Sequence, residues 1–213
     1  MEASLSKVSN TMGSLKFYYS PESSSLMTET CLNELDIPFE KIKIDVKKKE
    51  TQTEEYLKIN PNGLVPAIDH DGTILWESAA IDMYLGETFG VEKNLYPPPG
   101  KLRGQAMKWI VWSNVTFGEA IGRYFHGDSK EIAEKAMTDI SKCLKILDDR
   151  LKENPSLLDD FEYSLVDTHV AVIVAWLSLI KVDIEPYEGL WKWYMKISER
   201  PAFTKAMKPS GET

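Results

Sequence analysis

The 213-residue sequence predicts an α/β unit followed by an all-helical one. Three observations carry that reading. Strand-like alternation and helical periodicity take turns up to residue 90, in the order β-α-β-α-β-β-α. The run Leu95-Tyr-Pro-Pro-Pro-Gly100 then interrupts every pattern, because consecutive prolines and a glycine make a stiff, extended connection. Beyond it strand signals vanish and apolar residues recur at helical spacing.

Residues 1–14 are serine-rich and lack the apolar stretch of a signal peptide, so they read as a disordered leader. Leu15, Phe17 and Tyr19 alternate with Lys16 and Tyr18 as a first strand, and Leu26, Cys31, Leu32 and Leu35 follow at helical spacing. Phe39–Val46 is a second strand with Ile42, Ile44 and Val46 on one face. Thr53–Ile59 is a short helix that stops before Pro61. Val65–Ile68 and Thr73–Trp76 flank His70-Asp71-Gly72 as a hairpin. Glu77–Phe89 is an amphipathic helix with Ile81, Tyr84, Leu85 and Phe89 on one side. The first domain therefore spans 15–91, a linker 92–103, and the helical domain 104–213. In the second domain helices are expected at 101–124, 129–153, 164–181 and 188–199, with a last one opening at Pro201. Ser164 and Asp167, three residues apart, form a capping-box variant.

Composition narrows the function. A net charge of −8 and a pI near 5.0 argue against nucleic-acid binding, and the basic run Lys47–Lys49 reads as a solvated edge. No apolar run is long enough to span a bilayer, so a cytoplasmic protein without a membrane partner is expected. The two cysteines, Cys31 and Cys143, sit in apolar helical patterns as buried free thiols and provide no thiolate cluster. Asp69-His70-Asp71 lies on a turn, and His126 and His169 lack ligand spacing, so no metal is expected.

Three features point to a binding site. Ser23, Ser24 and Ser25 stand where a strand enters a helix N-terminus, a place where free N–H groups and the helix dipole favour an anion. One hydroxyl suffices for a cap, with Ser25 the expected one, which leaves another to donate to an anionic sulfur or oxygen. Tyr18 and Tyr19 are rival hydroxyls within the strand. Val65-Pro66 opens a strand whose backbone suits an extended peptide. Glu77-Ser78 sets a carboxylate, a hydroxyl and free N–H groups at the next helix start. Together they suit a small charged peptide.

These residues resemble a cytosolic glutathione S-transferase, with a thioredoxin-like first domain and a helical-bundle second domain. The resemblance covers about residues 15–208 and is carried by Asn60–Ala67, Trp76–Ile81 with Tyr84-Leu85, Ser164–Asp167 and Ser198–Ala202. It implies glutathione as co-substrate, a small hydrophobic electrophile as second substrate, and a homodimer. By that resemblance Val65 pairs with the cysteinyl part of glutathione beside a cis Pro66, and Glu77 and Ser78 hold the γ-glutamyl end. Lys49, with Lys48 as its rival, meets the glycyl carboxylate. Tyr19-x-Pro-x-x-x-Ser-Leu26 is similar to the beta-class loop, with Ser24 at that class's cysteine. Counting as in the serine-using classes lands instead on Glu22, or on Ser23 after a one-residue slide. An electrophile pocket is expected on Trp112, Val115, Thr116, Glu119 and Arg123, which share a helix face. The rival functions are a non-catalytic carrier or regulatory protein of the same fold, and glutathione-dependent ether cleavage or dehalogenation.

Overall fold

The computed structural model describes residues 13–208. The expected leader lies outside these except for Gly13 and Ser14, whose N–H donates to the Asp71 carboxylate at 2.8 Å. A four-stranded mixed sheet in the order β2-β1-β3-β4 organises the first unit. Central strand β1 (Leu15–Tyr19) pairs in parallel with β2 (Glu40–Lys43) and antiparallel with β3 (Ala67–His70). β1 forms because Leu15 and Phe17 fall on its buried face at the two-residue period.

β2 is shorter than its alternation suggests. Its last rung is the Ile44 N–H donating to the Tyr19 carbonyl at 2.8 Å, and β1 leaves the sheet after Tyr19. With no strand to pair, residues 45–50 fold into turns that the Asp45 and Glu50 carboxylates close by accepting the Lys48 and Asp45 N–H groups. β3 also starts later than expected, its pairing beginning at Ala67, just after the cis Val65–Pro66 peptide. Its hairpin partner β4 (Thr73–Trp76) follows a two-residue turn in which Asp71 and Gly72 both take positive φ, +51° and +84°. That is the geometry Asp-Gly favours.

Helix α1 (Ser25–Leu35) packs on one side against α3 (Ser78–Leu85) and on the other against the helical unit. Short α2 (Glu54–Leu57) is capped by Thr53, whose Oγ1 accepts the Tyr56 N–H. α3 runs on through a π-helical turn, Gly86–Gly90. A Cβ at Gly86 would stand 2.7 Å from the Tyr96 ring, so only glycine lets that ring lie on the helix.

The connection to the second unit is stiff but is not a free tether. Tyr96 and Pro97 are buried, the Leu95 carbonyl accepts the Leu165 N–H, and Arg103 donates to the Pro97 carbonyl while pairing with Glu87. Beyond it come α4 (Lys101–Trp112), a π-helical stretch Ser113–Gly118, α5 (Glu119–His126) and α6 (Lys130–Glu153). They surround α7 (Leu165–Ala175), whose residues 165–174 are all buried. α8 (Glu188–Ser198) and α9 (Pro201–Met207) close the bundle, and Arg200 forks onto Glu34 of α1 at 2.7 and 2.8 Å. The architecture is a thioredoxin-like α/β domain joined to a helical domain. Among the described residues no helix is long and apolar enough to cross a membrane.

Candidate functional site

The loop between β1 and α1 is closed by its own hydroxyls. Ser23 Oγ donates to the Ser20 carbonyl at 2.7 Å and accepts the Ser25 N–H at 3.1 Å. Ser25 Oγ accepts the Ser20 N–H at 3.3 Å, and its side chain is buried. Ser25 is thus the first helical residue and not the cap; Ser23 satisfies its N–H instead. Ser24 holds the N-cap position without capping, and its Oγ donates across the loop to the Val65 carbonyl at 3.1 Å. Glu22 supports the turn at φ +55°, a conformation that glycine takes without strain.

Of the three serines, Ser24 lines a cleft of about 200 Å³ between the two units. Val65, Pro66, Glu77 and Ser78 share its first wall. Tyr56 Oη and Asn60 Nδ2 both donate to the Leu64 carbonyl, at 2.8 and 2.7 Å, and so fix the backbone leading into Val65. Glu77 stands at φ +73° at the start of α3, a strained turn that places the N-terminal end of that helix, Glu77 and Ser78, at the cleft. The opposite wall is Asn114, Gly118, Ile173 and Trp176. One wall therefore offers backbone and charged groups to a polar ligand, while half-buried Trp176 offers apolar surface beside it.

Other expected site residues lie elsewhere. Lys49 is exposed at φ +61°, Lys48 pairs with Asp45 at 3.3 Å, and neither lines the cleft. Trp112 packs edge-on against Trp109 and tilted against Phe117. Val115, Thr116, Glu119 and Arg123 do share a face, but it borders a separate recess against α6, where Arg123 pairs with Asp139 at 3.0 Å. Helical spacing tells which residues share a face and not what that face meets. Tyr18 packs edge-on against Tyr56, and Tyr19 stacks on Phe17 under the Lys41 ammonium; neither hydroxyl lines the cleft.

A buried polar chain runs from the core to the cleft, and spacing alone did not mark it. Thr28 donates to Asp82 Oδ1 at 2.8 Å, and Asp82 Oδ2 lies 2.7 Å from His169 Nδ1. His169 Nε2 is 2.7 Å from Asn114 Oδ1, and Asn114 Nδ2 donates to Ser78 Oγ at 3.0 Å. The available signal was an acid beside Ile81 and Leu85 and an imidazole inside the apolar run Val166–Ala175, since a polar group in such a place needs a partner.

Burial raises the Cys31 thiol well above its ordinary value, with Asp82 adding to the effect, and raises that of Cys143 to about 11. Neither lines the cleft. The native protein is expected to react with Ellman's reagent at pH 7.5 at least about a hundredfold more slowly than free cysteine, since thiolate fraction and access are both suppressed. Stoichiometric reaction within minutes without unfolding would contradict this placement.

The family model described as glutathione S-transferase, N-terminal domain, matches residues 13–87, and the C-terminal domain model matches residues 113–201. Glutathione S-transferase GstB of Escherichia coli K12 is 31% identical over 186 residues, covering 83% of this chain and 88% of that protein. The disulfide-bond oxidoreductase YfcG of the same organism is 26% identical over 206 residues, covering 91% and 94%. Among solved structures, a glutathione transferase from Methylococcus capsulatus superposes with TM-score 0.81 at 28% identity, covering 91% of this chain and 97% of that one.

Proposed function

The chain belongs to the glutathione S-transferase family, and from that premise we propose that it joins the sulfur of glutathione to small hydrophobic electrophiles, with Ser24 stabilising the thiolate. The observation that carries this reading is the placement of Ser24 Oγ in the cleft, at the N-terminal end of α1 and 3.1 Å from the Val65 carbonyl. The cysteinyl backbone of glutathione runs along Val65 beside Pro66. The γ-glutamyl end meets Glu77 and Ser78, where a carboxylate suits its ammonium and a hydroxyl with first-turn N–H groups suits its carboxylate. The sulfur then falls near Ser24, whose proton turns from the Val65 carbonyl to the thiolate. Loss of the thiol proton to solvent leaves a lone pair that forms the S–C bond, as the electrophile's leaving group departs with its electron pair, or as its activated double bond opens and the carbanion so formed takes a proton from solvent. Half-buried Trp176 supplies the electrophile's apolar wall.

A serine in this place cannot form a mixed disulfide, which separates the proposal from thiol exchange. The protein is read as cytoplasmic and acting in detoxification, with no metal in the reaction. Met107, Val111 and Val115 are exposed at four-residue spacing along α4 and its π-helical extension, a stripe suited to a second copy of the chain. Light scattering should return twice the 24.2 kDa chain mass.

The test is an ultraviolet titration of the thiolate of glutathione bound to the protein. A free thiol has a pKa of ~8.5. The bound thiol is expected about two units lower, which corresponds to about 2.7 kcal/mol. Binding with an unshifted thiol would leave a carrier on this fold, and no binding at all would remove glutathione from the account.

A further inference from the structure

The polar chain from α1 to the cleft has a direction, and the direction decides what Ser78 can do. Asp82 and His169 are both fully buried, and they join α3 of the first unit to α7 of the second. An ionised carboxylate only accepts, so the groups facing Asp82 must donate: Thr28 through its hydroxyl and His169 through Nδ1–H. At the far side Asn114 presents Oδ1 to His169 Nε2 and Nδ2 to Ser78. An amide oxygen accepts, so Nε2 faces an acceptor as Nδ1 does. An imidazolium is the form of the ring that donates to both and balances the Asp82 charge.

The surroundings require that balance. Cys31 of α1 and Tyr96 also face Asp82, but burial, foremost, raises both, the phenol to about 12, so both stay neutral. Glu34 faces Cys31 from the same helix but is forked by Arg200. Thr28 and Asn114 carry no charge. A neutral imidazole would leave the Asp82 carboxylate buried without a countercharge, which is costly.

We propose that His169 is held as an imidazolium by Asp82 and is a positioning residue: through Asn114 it makes Ser78 a hydrogen-bond donor into the cleft and thereby selects a ligand bearing a carboxylate there. Because the Asn114 N–H already occupies a lone pair of Ser78 Oγ, the Ser78 proton turns away from Asn114. In the structure it meets Met27 Sδ at 3.8 Å, a weak acceptor that a carboxylate easily outcompetes. A neutral His169 with a bare Nε2 would reverse the chain. Asn114 would turn its N–H₂ to the ring, its oxygen would take the Ser78 proton, and Ser78 would be left only to accept.

The inference rests on the reading of the γ-glutamyl site, and its test separates the two. Nitrogen-15 spectra of histidine-labelled wild-type protein at neutral pH, assigned against His169→Gln, should show both His169 nitrogens protonated, and Asp82→Asn should leave one bare. Calorimetry should show glutathione bound at least tenfold tighter than its analogue lacking the γ-glutamyl α-carboxylate. In folded Asp82→Asn that preference should fall below about threefold, through loss of glutathione affinity and not gain of analogue affinity. A neutral His169 in the wild type overturns the proposal even where glutathione binds tightly, and so does a preference that survives in Asp82→Asn. If Asp82→Asn does not fold, the wild-type spectrum decides alone. Failure of the wild type to bind glutathione overturns the site reading instead, whatever the spectrum shows.

Discussion

Replacing Asp167 by alanine is expected to cost about 3–5 kcal/mol of folding stability, the largest single loss predicted for this chain. Asp167 is fully buried at the third position of α7. Its Oδ2 accepts from the Ser164 N–H at 2.9 Å, the Ser164 hydroxyl at 2.7 Å and the Ser156 hydroxyl at 2.8 Å. Its Oδ1 accepts from the Leu157 N–H and Trp193 Nε1–H, both at 2.9 Å. One carboxylate therefore ties the α7 N-terminus, the 156–157 loop and α8 together. Alanine strands these donors in the core, and the two backbone N–H groups have no water to turn to. A domain of ordinary stability has about 5–15 kcal/mol in all, so the variant should be largely unfolded at 37 °C. Asp167→Asn should also destabilise, because its amide would set donors against donors. Ser164→Ala should cost only about 1 kcal/mol, as loss of a cap does. Urea unfolding followed by circular dichroism checks the ranking; a loss below about 1 kcal/mol for Asp167→Ala would refute the hub role.

The capping box itself was visible in the sequence, because it depends on two residues at fixed local spacing. The additional partners, Ser156, Leu157 and Trp193, were not, because they arrive from elements that packing alone brings together. The same division runs through the rest of the fold. Alternation at Leu15 and Phe17, the Asp71-Gly72 turn and the helical periods of α6 and α8 are short-range facts that the chain states directly. β2 stopped short because pairing requires a neighbour, and β1 turns away after Tyr19. Glu77-Ser78, Val65-Pro66 and the serine loop were legible as site pieces because each is a local backbone peculiarity. The second wall was not. Choosing Asn114 and Gly118 over Val115 and Glu119 requires knowing how the helix is rotated against α7, which no residue spacing encodes. The chain Asp82–His169–Asn114 spans three segments and becomes visible only when they meet.

Ser24→Ala is expected to lower kcat/KM for conjugation by about a hundredfold, the range seen when one preorganised donor to a developing anion is removed. The same change should raise the pKa of the bound thiol by about one to two units, worth about 1.4–2.7 kcal/mol. Affinity for glutathione should hold within about threefold, because the γ-glutamyl and backbone contacts are untouched and the neutral thiol gains little from a hydroxyl. Stability should change little, since the Ser24 hydroxyl satisfies only the Val65 carbonyl, which borders the open cleft where water can replace it. The neighbours should separate cleanly. Ser25→Ala removes a buried acceptor for the Ser20 N–H, and Ser23→Ala removes the hydroxyl that closes the loop, so both should lower stability first and activity through it. Ser24→Thr keeps a donor and should retain most of the thiol shift if its methyl group fits the cleft. The decisive comparison is the bound-thiol titration of Ser24→Ala beside that of Ser23→Ala. A shift lost only in the former fixes Ser24 as the thiolate's partner, whereas equal losses from Ser23→Ala without loss of stability would move the role one residue back. An unchanged thiol in both would transfer the stabilisation to the N-terminal end of α1, whose dipole and first-turn N–H groups would then be the whole of the anion site.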